Sequence, residues 1–499
     1  MRTGVLQAFS GYTGAVILLS LLLKLLLINI NQGEYTDGII QLHLWDSPVV
    51  FFPPGYTAAV WLLHWAGLDL LFAGRLLSIL ASTVSLIFFT LLARLILKND
   101  EDVFRAVLFL ALSPVFNRWS FRVMTDSLFL TFFMLCTYEV FLLWKAPGRS
   151  RVWLFCWTGL ASLVRYQGFY FLPWILYFLL TRRKNDAGFS LSSLIRWCIS
   201  IIPWMILIYW IAIRGFGHHE QFLERGSYGF WYTLSAYYTM FETYLLYFPW
   251  AVTYCLFILG STGVFLSCNS EDQSARRFFH FSWITALAFL LVQSAFLSFQ
   301  YRYLLPLVPL WCILAARGCS GLVARLPNRQ WGRGISFATV LNLVLMSIAI
   351  LYFQRDTFGD LVQSAKYLNV VYREARVVSD EVYRQGVYNV KMKFWSGREM
   401  EYYPQTDLRP GDLVVLHNTY SDIETEINKI REQFKFNVVF NPWQSREGVN
   451  EYVTLPLLPD IMVFPDQQVM PLTSNPQCMG FRFVPQRYYS VILYIEDVL

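Results

Sequence analysis

Long apolar runs, separated by short polar and basic segments, repeat from the N-terminus to about residue 350. A run of about 20 apolar residues is long enough for a helix to cross a membrane. The apolar segment 52–67 is short and opens with two prolines, which favours a helix lying along the membrane surface. Eleven runs predict transmembrane helices, near 12–30, 70–92, 103–116, 124–144, 152–165, 168–181, 197–213, 246–267, 280–298, 303–317 and 335–353. The pattern predicts a polytopic α-helical membrane protein.

Beyond residue 354 the pattern changes, because charged residues become frequent and the apolar runs shorten to strand length. Segments 360–373 and 422–434 have helical patterns, and the Arg-Pro-Gly-Asp sequence at 409–412 is typical of a turn. Buried strands are predicted at four apolar runs, 377–378, 413–416, 438–440 and 491–494. We therefore predict two domains: a membrane domain over 1–354, with surface helices at about 34–67, and a small α/β domain over 355–499.

Basic residues are concentrated in alternate loops, which indicates the orientation of the chain in the membrane. If the N-terminus is inside the cell, the loops rich in Lys and Arg are all cytoplasmic, near 94–105, 145–151, 182–196, 276–277 and 317–333. The opposite loops contain few basic residues. An odd number of spans then places the C-terminal domain outside the cell. The prediction is a multi-pass cell-membrane protein with a cytoplasmic N-terminus and an extracytoplasmic C-terminal domain.

Composition excludes several classes of function. The chain is 56% hydrophobic and 15% charged, whereas a soluble domain has about 25% charged residues. The net charge of +6 is spread over short loops, so it indicates topology and not a nucleic-acid partner. The cysteines show no CxxC spacing, so we expect no structural zinc site. No P-loop, GxGxxG or GxSxG motif is present, which argues against soluble nucleotide chemistry.

The polar segment 32–38, directly after the first apolar run, contains two carboxylates, Glu34 and Asp37. Carboxylates near a bilayer are costly, so they indicate a candidate functional site. The functional interpretation is that Asp37 acts as a general base, with Glu34 as the second candidate. The structural alternative is that Thr36 and Asp37 cap a helix over 38–46. The residues alone leave both interpretations open.

Three arginines, Arg302, Arg165 and Arg122, lie near the predicted outer ends of spans. A guanidinium group at membrane depth needs an anion nearby. That anion is either a phosphate, which suits the arginine fork, or a carboxylate such as Asp126. Arg75 lies beside the predicted surface helix, and we expect it to extend to the membrane interface.

Five segments resemble the GT-C superfamily of integral-membrane glycosyltransferases, and within it the bacterial protein O-mannosyltransferases and the aminoarabinose transferase of lipid A. They are the acidic segment 34–38, Pro-Pro-Gly-Tyr at 53–56, Met-Thr-Asp-Ser-Leu-Phe at 124–129, Arg-Tyr-Gln-Gly at 165–168 and Tyr-Arg-Tyr-Leu-Leu-Pro at 301–306. Two departures stand out. Glu34 and Asp37 are separated by two residues where the family has an adjacent acidic pair, and Gln167 replaces a glutamate.

The resemblance implies an inverting transfer of a sugar from a polyprenyl-phosphate carrier to an acceptor hydroxyl on a glycan, lipid or protein at the outer membrane face. No cofactor is required by this scheme, although a divalent cation is compatible with the two acids. The implied site residues are Asp37 or Glu34 as the base, Arg302, Arg165 and Arg122 at the donor phosphate, and Asp126, Tyr301 and Gln167 around them. The alternative is a transporter or lipid-linked sugar flippase, but the chain shows no matched halves of the kind typical of transporters.

Overall fold

The computed structural model describes the chain in separate stretches. They are residues 11–45, 52–146, 149–181, 191–215, 230–294, 298–299, 301–354, 358–384, 387–417, 422–440, 453–454, 461–463, 469–471, 486–487 and 490–499. By their internal contacts these residues form two compact units. The helical unit comprises Met1–Ile28, Val50–Ala349 and Asp460–Val469; the sheet unit comprises Asn29–Val49, Ile350–Pro459 and Met470–Leu499. The predicted membrane domain, 1–354, included the acidic segment 32–38, whereas the internal contacts assign this segment to the sheet unit.

The helices and strands follow one another along the chain in a helix-rich part and then a mixed part. The α-helices are α1 (Gly11–Leu26), α2 (Thr36–Leu42), α3 (Gly55–Trp65), α4 (Leu70–Ile96), α5 (Asp100–Ala111), α6 (Pro114–Ser120), α7 (Asp126–Lys145), α8 (Val152–Val164), α9 (Leu172–Leu180), α10 (Leu191–Arg214), α11 (Phe230–Val252), α12 (Tyr254–Cys268), α13 (Gln273–Ser294), α14 (Leu307–Arg325), α15 (Arg329–Gln354), α16 (Gly359–Val371), α17 (Val390–Ser396) and α18 (Ile423–Arg431). The strands are β1 (Ser298–Phe299), β2 (Val377–Ser379), β3 (Val382–Arg384), β4 (Val387–Tyr388), β5 (Glu401–Tyr402), β6 (Leu413–His417), β7 (Phe434–Phe440), β8 (Val453–Thr454), β9 (Ile461–Val463), β10 (Val469–Pro471), β11 (Gln486–Arg487) and β12 (Ser490–Val498). Short 3-10 helices form at Tyr166–Phe171 and Tyr301–Leu304.

The polytopic helical class predicted from the apolar runs is confirmed. Within the described residues, six helices are long and apolar enough to cross a membrane, and a seventh span is reached if the bent pair α11 and α12 counts as one. Two shorter apolar helices, α1 and α8, also correspond to predicted spans. The short surface helix expected at 52–67 corresponds to α3.

Three predicted spans differ in detail from the helices that form. The run 246–267 was predicted as one span, but the chain turns by 106° between α11 and α12, where Thr253 adopts a left-handed φ of 72°. The run 103–116 is divided because Pro114 begins a new helix. The run 168–181 starts as a 3-10 helix and becomes α-helical only at Leu172, next to Pro173. Apolar content therefore located these segments, while local backbone constraints divided them.

Helices α12 and α14 pack with their backbones in direct contact. A Cβ atom at Gly263 would lie 1.8 Å from the carbonyl oxygen of Leu314, and one at Gly318 would lie 1.9 Å from the carbonyl oxygen of Leu259. Small residues allow such close approach between membrane helices, where van der Waals packing drives association. This pair therefore depends on glycine at both positions.

Replacing Gly318 with alanine should separate α12 from α14 and destabilise the protein by about 1–3 kcal/mol, the usual cost of overpacking. The measurement is the Tm of the purified protein in detergent. Gly334→Ala is the matched control, because a Cβ at Gly334 in α15 meets no atom within 4 Å. Equal Tm values for the two variants would contradict the packing role of Gly318.

The sheet unit contains a mixed five-stranded sheet with the strand order β5-β2-β6-β12-β7. Strand β2 pairs in parallel with β5 and β6, whereas β12 pairs antiparallel with β6 and β7. The four strands predicted from apolar runs all lie in this sheet, and the two predicted helices correspond to α16 and α18. The predicted combination of helices and sheet in the C-terminal region is confirmed.

Both faces of this sheet are covered, which explains why its central strands are continuous apolar runs and not alternating ones. In β6, Leu413 and Val415 belong to one apolar cluster, while Val414 and Leu416 belong to another. The turn predicted at 409–412 precedes this strand. Gly411 has a φ of 91°, and the Asp412 carboxylate accepts the backbone N–H of Arg409 at 2.7 Å.

Candidate functional site

One cavity of the helical unit is lined by residues from three segments that carry the family resemblance. These segments are 124–129, 165–168 and 301–306. The polar lining comprises Asp126, Arg165, Gln167, Arg302 and Tyr303. Four of the predicted site residues therefore lie at one cavity, although they are far apart in the sequence.

Arg165 is bound by a carboxylate within this cavity. Its Nη1 atom lies 2.5 Å from Oδ1 of Asp126, and its Nε donates to Oε1 of Gln167 at 3.1 Å. The side chains of Arg165 and Asp126 are only 11% and 2% exposed. The sequence left two possible partners for Arg165, a phosphate and a carboxylate, and the structure shows the contact with the carboxylate of Asp126. Phosphate binding by Arg165 stays a prediction.

A tight turn after α8 directs Arg165 and Gln167 into the cavity. The helix ends at Val164, and Arg165 adopts an extended conformation with φ −151° and ψ 137°. The following turn closes when the N–H of Gly168 donates to the carbonyl oxygen of Arg165 at 2.9 Å. A Cβ at Gly168 would lie 2.3 Å from the backbone nitrogen of Ser162, so only glycine lets this turn pack against α8.

The variant Gly168→Ala should push the turn away from α8 and displace Arg165 and Gln167. We expect a destabilisation of about 1–3 kcal/mol together with a lower kcat/KM, because a shift of 1 Å at a site can cost about 100-fold. Tm and kcat/KM of the purified variant test this. Gly334→Ala, which adds the same methyl group where it meets no atom within 4 Å, serves as the control. Wild-type values of both quantities for Gly168→Ala would show that the turn tolerates a side chain.

Arg302 lies in the 3-10 helix that precedes α14 and is 7% exposed. Its guanidinium carbon is 5.3 Å from the ring centroid of Tyr303 and 5.8 Å from that of Trp119. The guanidinium carbon of Arg165 is also 5.3 Å from the Tyr303 ring. One tyrosine ring therefore contacts both arginines. Aromatic rings attract cations without removing their charge.

The cavity brings two guanidinium groups together with one carboxylate. Its charged lining consists of the guanidinium groups of Arg165 and Arg302 and the carboxylate of Asp126. Charges in such an environment are screened poorly. Arginine forks match the geometry of phosphate and carboxylate oxygens. The lining is thus chemically suited to an anionic group.

Two other predicted residues of the helical unit are not among those that line this cavity. Arg122 is buried, with 1% exposure, and is not among the residues that line this cavity. Tyr301 begins the 3-10 helix that contains Arg302, but its side chain lies outside the described residues. A role at the donor phosphate stays a prediction for Arg122, as does a site role for Tyr301.

Two buried cations of the helical unit were not expected from the sequence. Arg75, predicted to extend to the membrane interface, is 4% exposed, because it lies on the packed side of α4 and not on its surface. Lys24 in α1 is 2% exposed, and its Nζ donates to the hydroxyls of Ser82 and Ser120 at 3.0 and 3.1 Å. Lys24 could have been found from the sequence, because a single lysine within an apolar run is costly in a membrane and indicates a buried polar contact.

The acidic segment belongs to the sheet unit, and Asp37 lies in the first turn of α2. The residue before the helix is Tyr35, which makes no side-chain capping bond. The capping interpretation of Thr36 and Asp37 is therefore wrong, because the helix begins earlier than predicted. Instead, the Thr36 hydroxyl accepts a hydrogen bond from Nζ of Lys391 at 2.7 Å. An acid in a first turn is favoured by the helix dipole.

The two candidate bases differ in access. Glu34 is fully buried, with 0% exposure, whereas Asp37 is partly exposed. A base that takes a proton from an incoming acceptor needs access, so exposure favours Asp37; the choice between the two acids stays a prediction. Among the described residues, no group of three or more His, Cys, Asp or Glu side chains is arranged to hold a metal ion.

Known proteins resemble this chain in sequence and in fold. Residues 52–210 match the family model described as dolichyl-phosphate-mannose-protein mannosyltransferase. Among solved structures, ArnT from Cupriavidus metallidurans bound to undecaprenyl phosphate aligns with a TM-score of 0.50 and 14% identity, over 87% of this chain and 97% of that chain. A comparison with curated protein sequences gives no match.

Two further solved structures show weaker likeness. The apo state of the same ArnT aligns with a TM-score of 0.48 and 14% identity, over 87% of this chain and 96% of that chain. The mycobacterial arabinofuranosyltransferase AftD aligns with a TM-score of 0.42 and 14% identity, over 81% of this chain and 36% of that chain. The family match and the ArnT-like fold together confirm the resemblance inferred from the motifs.

Proposed function

We propose that this chain is a membrane glycosyltransferase of the GT-C superfamily, and that it transfers a sugar from a polyprenyl-phosphate carrier to an acceptor hydroxyl; the family match and the ArnT-like fold support this proposal. The observation that supports this donor is the cavity in which two arginine side chains, Arg165 and Arg302, lie together. A phosphate attached to a polyprenyl chain is an anion whose tail stays in the bilayer. A cavity of a membrane protein that is lined by two largely buried arginines suits such a group.

The arginines would contribute most when the sugar leaves its carrier. As the bond between the anomeric carbon and the phosphate oxygen breaks, its electron pair passes to the phosphate, which gains negative charge. Preorganised cations stabilise such developing charge strongly in a site that excludes water. Arg302 is the proposed principal phosphate ligand, since Arg165 already binds Asp126. Arg165 would then orient the site together with Gln167 and bind the phosphate with its remaining donors.

Asp37 is the proposed base, with Glu34 as the alternative. An acceptor hydroxyl has a high pKa, so removal of its proton in the transition state by a positioned carboxylate accelerates attack by about 10²–10⁴-fold. The hydroxyl oxygen forms the new bond to the anomeric carbon while the phosphate leaves from the opposite side. Such a single displacement inverts the configuration of the sugar.

We also propose the topology that the loop charges favour: eleven crossings, a cytoplasmic N-terminus, and the acidic segment and the C-terminal region on the outer face. The basic loops near 94–105 and 145–151 support this orientation. Single cysteines introduced over residues 31–45 should react with a membrane-impermeant reagent added to intact cells. Reaction only after lysis would overturn the orientation.

The test of the activity uses the full-length protein in lipid nanodiscs with undecaprenyl-phosphate-linked mannose, glucose and arabinose. A transferase releases undecaprenyl phosphate and adds the mass of one sugar to a glycan, lipid or peptide acceptor. The rival function, a transporter or flippase of lipid-linked sugars, leaves the donor intact and moves it between the leaflets of proteoliposomes. Movement of intact donor without release of its carrier would contradict our proposal.

A further inference from the structure

A buried lysine of the sheet unit contacts the segment that carries Asp37. Lys391, in the short helix α17, is 1% exposed. Its Nζ atom donates to the Thr36 hydroxyl at 2.7 Å, lies 3.3 Å from Oε1 of Glu381, and lies 4.2 Å from the ring centroid of Phe358. Thr36 directly precedes Asp37. The lysine therefore contacts the chain one residue away from the proposed base.

Glu381 fixes the position of this lysine from two directions. Its Oε1 and Oε2 atoms accept the backbone N–H groups of Lys391 and Met392, both at 2.8 Å. Oε1 also lies within ion-pair distance of the lysine Nζ. One carboxylate thus binds both the backbone and the side chain of Lys391, and a buried ammonium group with such contacts has little freedom to move.

Aromatic contacts extend this attachment along the acidic segment. The ring of Tyr35 packs edge-on against Phe358, with 5.8 Å between centroids. At the other end of α2, His43 packs against Phe394 of α17 at 5.6 Å. These contacts lie on either side of Thr36 and Asp37. A helix of seven residues is marginal by itself, so contacts with α17 and Phe358 must supply most of its order.

The charges around Lys391 are mostly acidic. Burial lowers the pKa of Lys391, whereas the carboxylates of Glu381, Asp360 and Asp37 raise it. Asp360 is itself 2.8 Å from Nε2 of His417, and both side chains are fully buried. The lysine therefore interacts electrostatically with Asp37 as well as with two carboxylates of its own surroundings.

We propose that Lys391 is a positioning residue, which fixes the segment of Thr36 and Asp37 so that the Asp37 carboxylate keeps its reactive orientation. This inference rests on the proposed role of Asp37 as the base. Bases act efficiently only when they are held within about 0.5 Å of the productive geometry by supporting contacts. The hydrogen bond to Thr36 and the ring contact to Phe358 supply such support.

The test compares Lys391→Met, Lys391→Arg and Thr36→Val in the full-length protein, with whichever undecaprenyl-phosphate sugar gives turnover. Lys391→Met should lower kcat by about 100-fold, as expected for a misplaced catalytic group. Thr36→Val removes only the hydrogen bond and should lower kcat by about tenfold. KM for the donor should change less than twofold, since the arginines are unaltered. Lys391→Arg should restore part of kcat, because it retains the charge and the donor.

Lys393→Met is the matched control, because Lys393 lies on the same helix and its exposed ammonium pairs with Glu399. It should keep the wild-type kcat. Hydrogen exchange of the amides of residues 36–42 gives a readout that does not depend on activity: exchange should be faster in Lys391→Met and Thr36→Val, and unchanged in Lys393→Met. If Lys391→Met does not fold, Thr36→Val alone decides the matter.

A cycle with Asp37→Asn separates this inference from the proposed function. If Lys391 acts through Asp37, Lys391→Met should cause no further loss of kcat in the Asp37→Asn background. Full activity of Asp37→Asn would refute the base assignment, whatever Lys391 does. An inactive Asp37→Asn together with wild-type kcat in Lys391→Met or Thr36→Val would refute the positioning role alone.

Discussion

The variant Asp37→Asn should lower kcat by about 10²–10⁴-fold, the contribution of a positioned general base, while KM for the lipid-linked donor stays nearly constant. Asparagine has almost the same shape as aspartate but cannot accept a proton at neutral pH. Asp37 is partly exposed in the first turn of α2, so this exchange should not unfold the sheet unit. The measurement is the rate of undecaprenyl phosphate release at saturating donor.

Two further variants make the result specific. Glu34→Gln tests the second candidate, and a larger loss there than in Asp37→Asn would exchange the two assignments. Asp422→Asn is the control, because Asp422 is an exposed carboxylate of the same unit. It should retain wild-type kcat. An Asp37→Asn variant that turns over as fast as wild type would remove Asp37 from the mechanism.

The fold class could be predicted from the sequence because buried helices and strands appear there as apolar runs. Membrane helices and a sheet covered on both faces require apolar runs, and these marked α4, α7 and β6. The bend between α11 and α12 could not be predicted from the pattern of apolar residues. It depends on a left-handed φ at Thr253, a residue type without a preference for that conformation. Local strain of this kind is set by tertiary packing, which a single sequence does not display.

The sequence predicted individual residues of the candidate site but not which of them contact one another. Arg165 and Asp126 were both candidates, and only the fold shows that they bind one another. Lys391 was missed for a related reason, because its hydrogen-bond partner Thr36 lies 355 residues away in the sequence. Lysines are also mostly exposed in folded proteins, so nothing in the sequence marked this one as buried. Resemblance located the motifs, whereas the contacts between distant residues had to come from the structure.

Replacing Arg302 with alanine should give the second large effect, a fall in kcat/KM of about 10²–10³-fold, comparable to the loss of one strong donor from a preorganised anion site. Both constants should change, because a phosphate ligand acts on the bound donor and still more on the charge that develops as the carrier leaves. Arg302→Lys should recover only part of the loss, since lysine keeps the charge but lacks the planar fork.

Arg302 is a better test of the phosphate site than Arg165. Removing Arg165 would leave the buried carboxylate of Asp126 without its ion pair, at a cost of about 3–5 kcal/mol, so a loss of activity could reflect unfolding. The matched comparison is Arg302→Lys against Arg118→Lys, because Arg118 is another buried arginine of the helical unit but does not line the cavity. We expect Arg302→Lys to raise KM for the donor at least tenfold, and Arg118→Lys to leave it unchanged. If Arg302→Ala and Arg302→Lys both retain wild-type kcat/KM in protein with an unaltered Tm, then the positive charge of this cavity does not bind the donor phosphate.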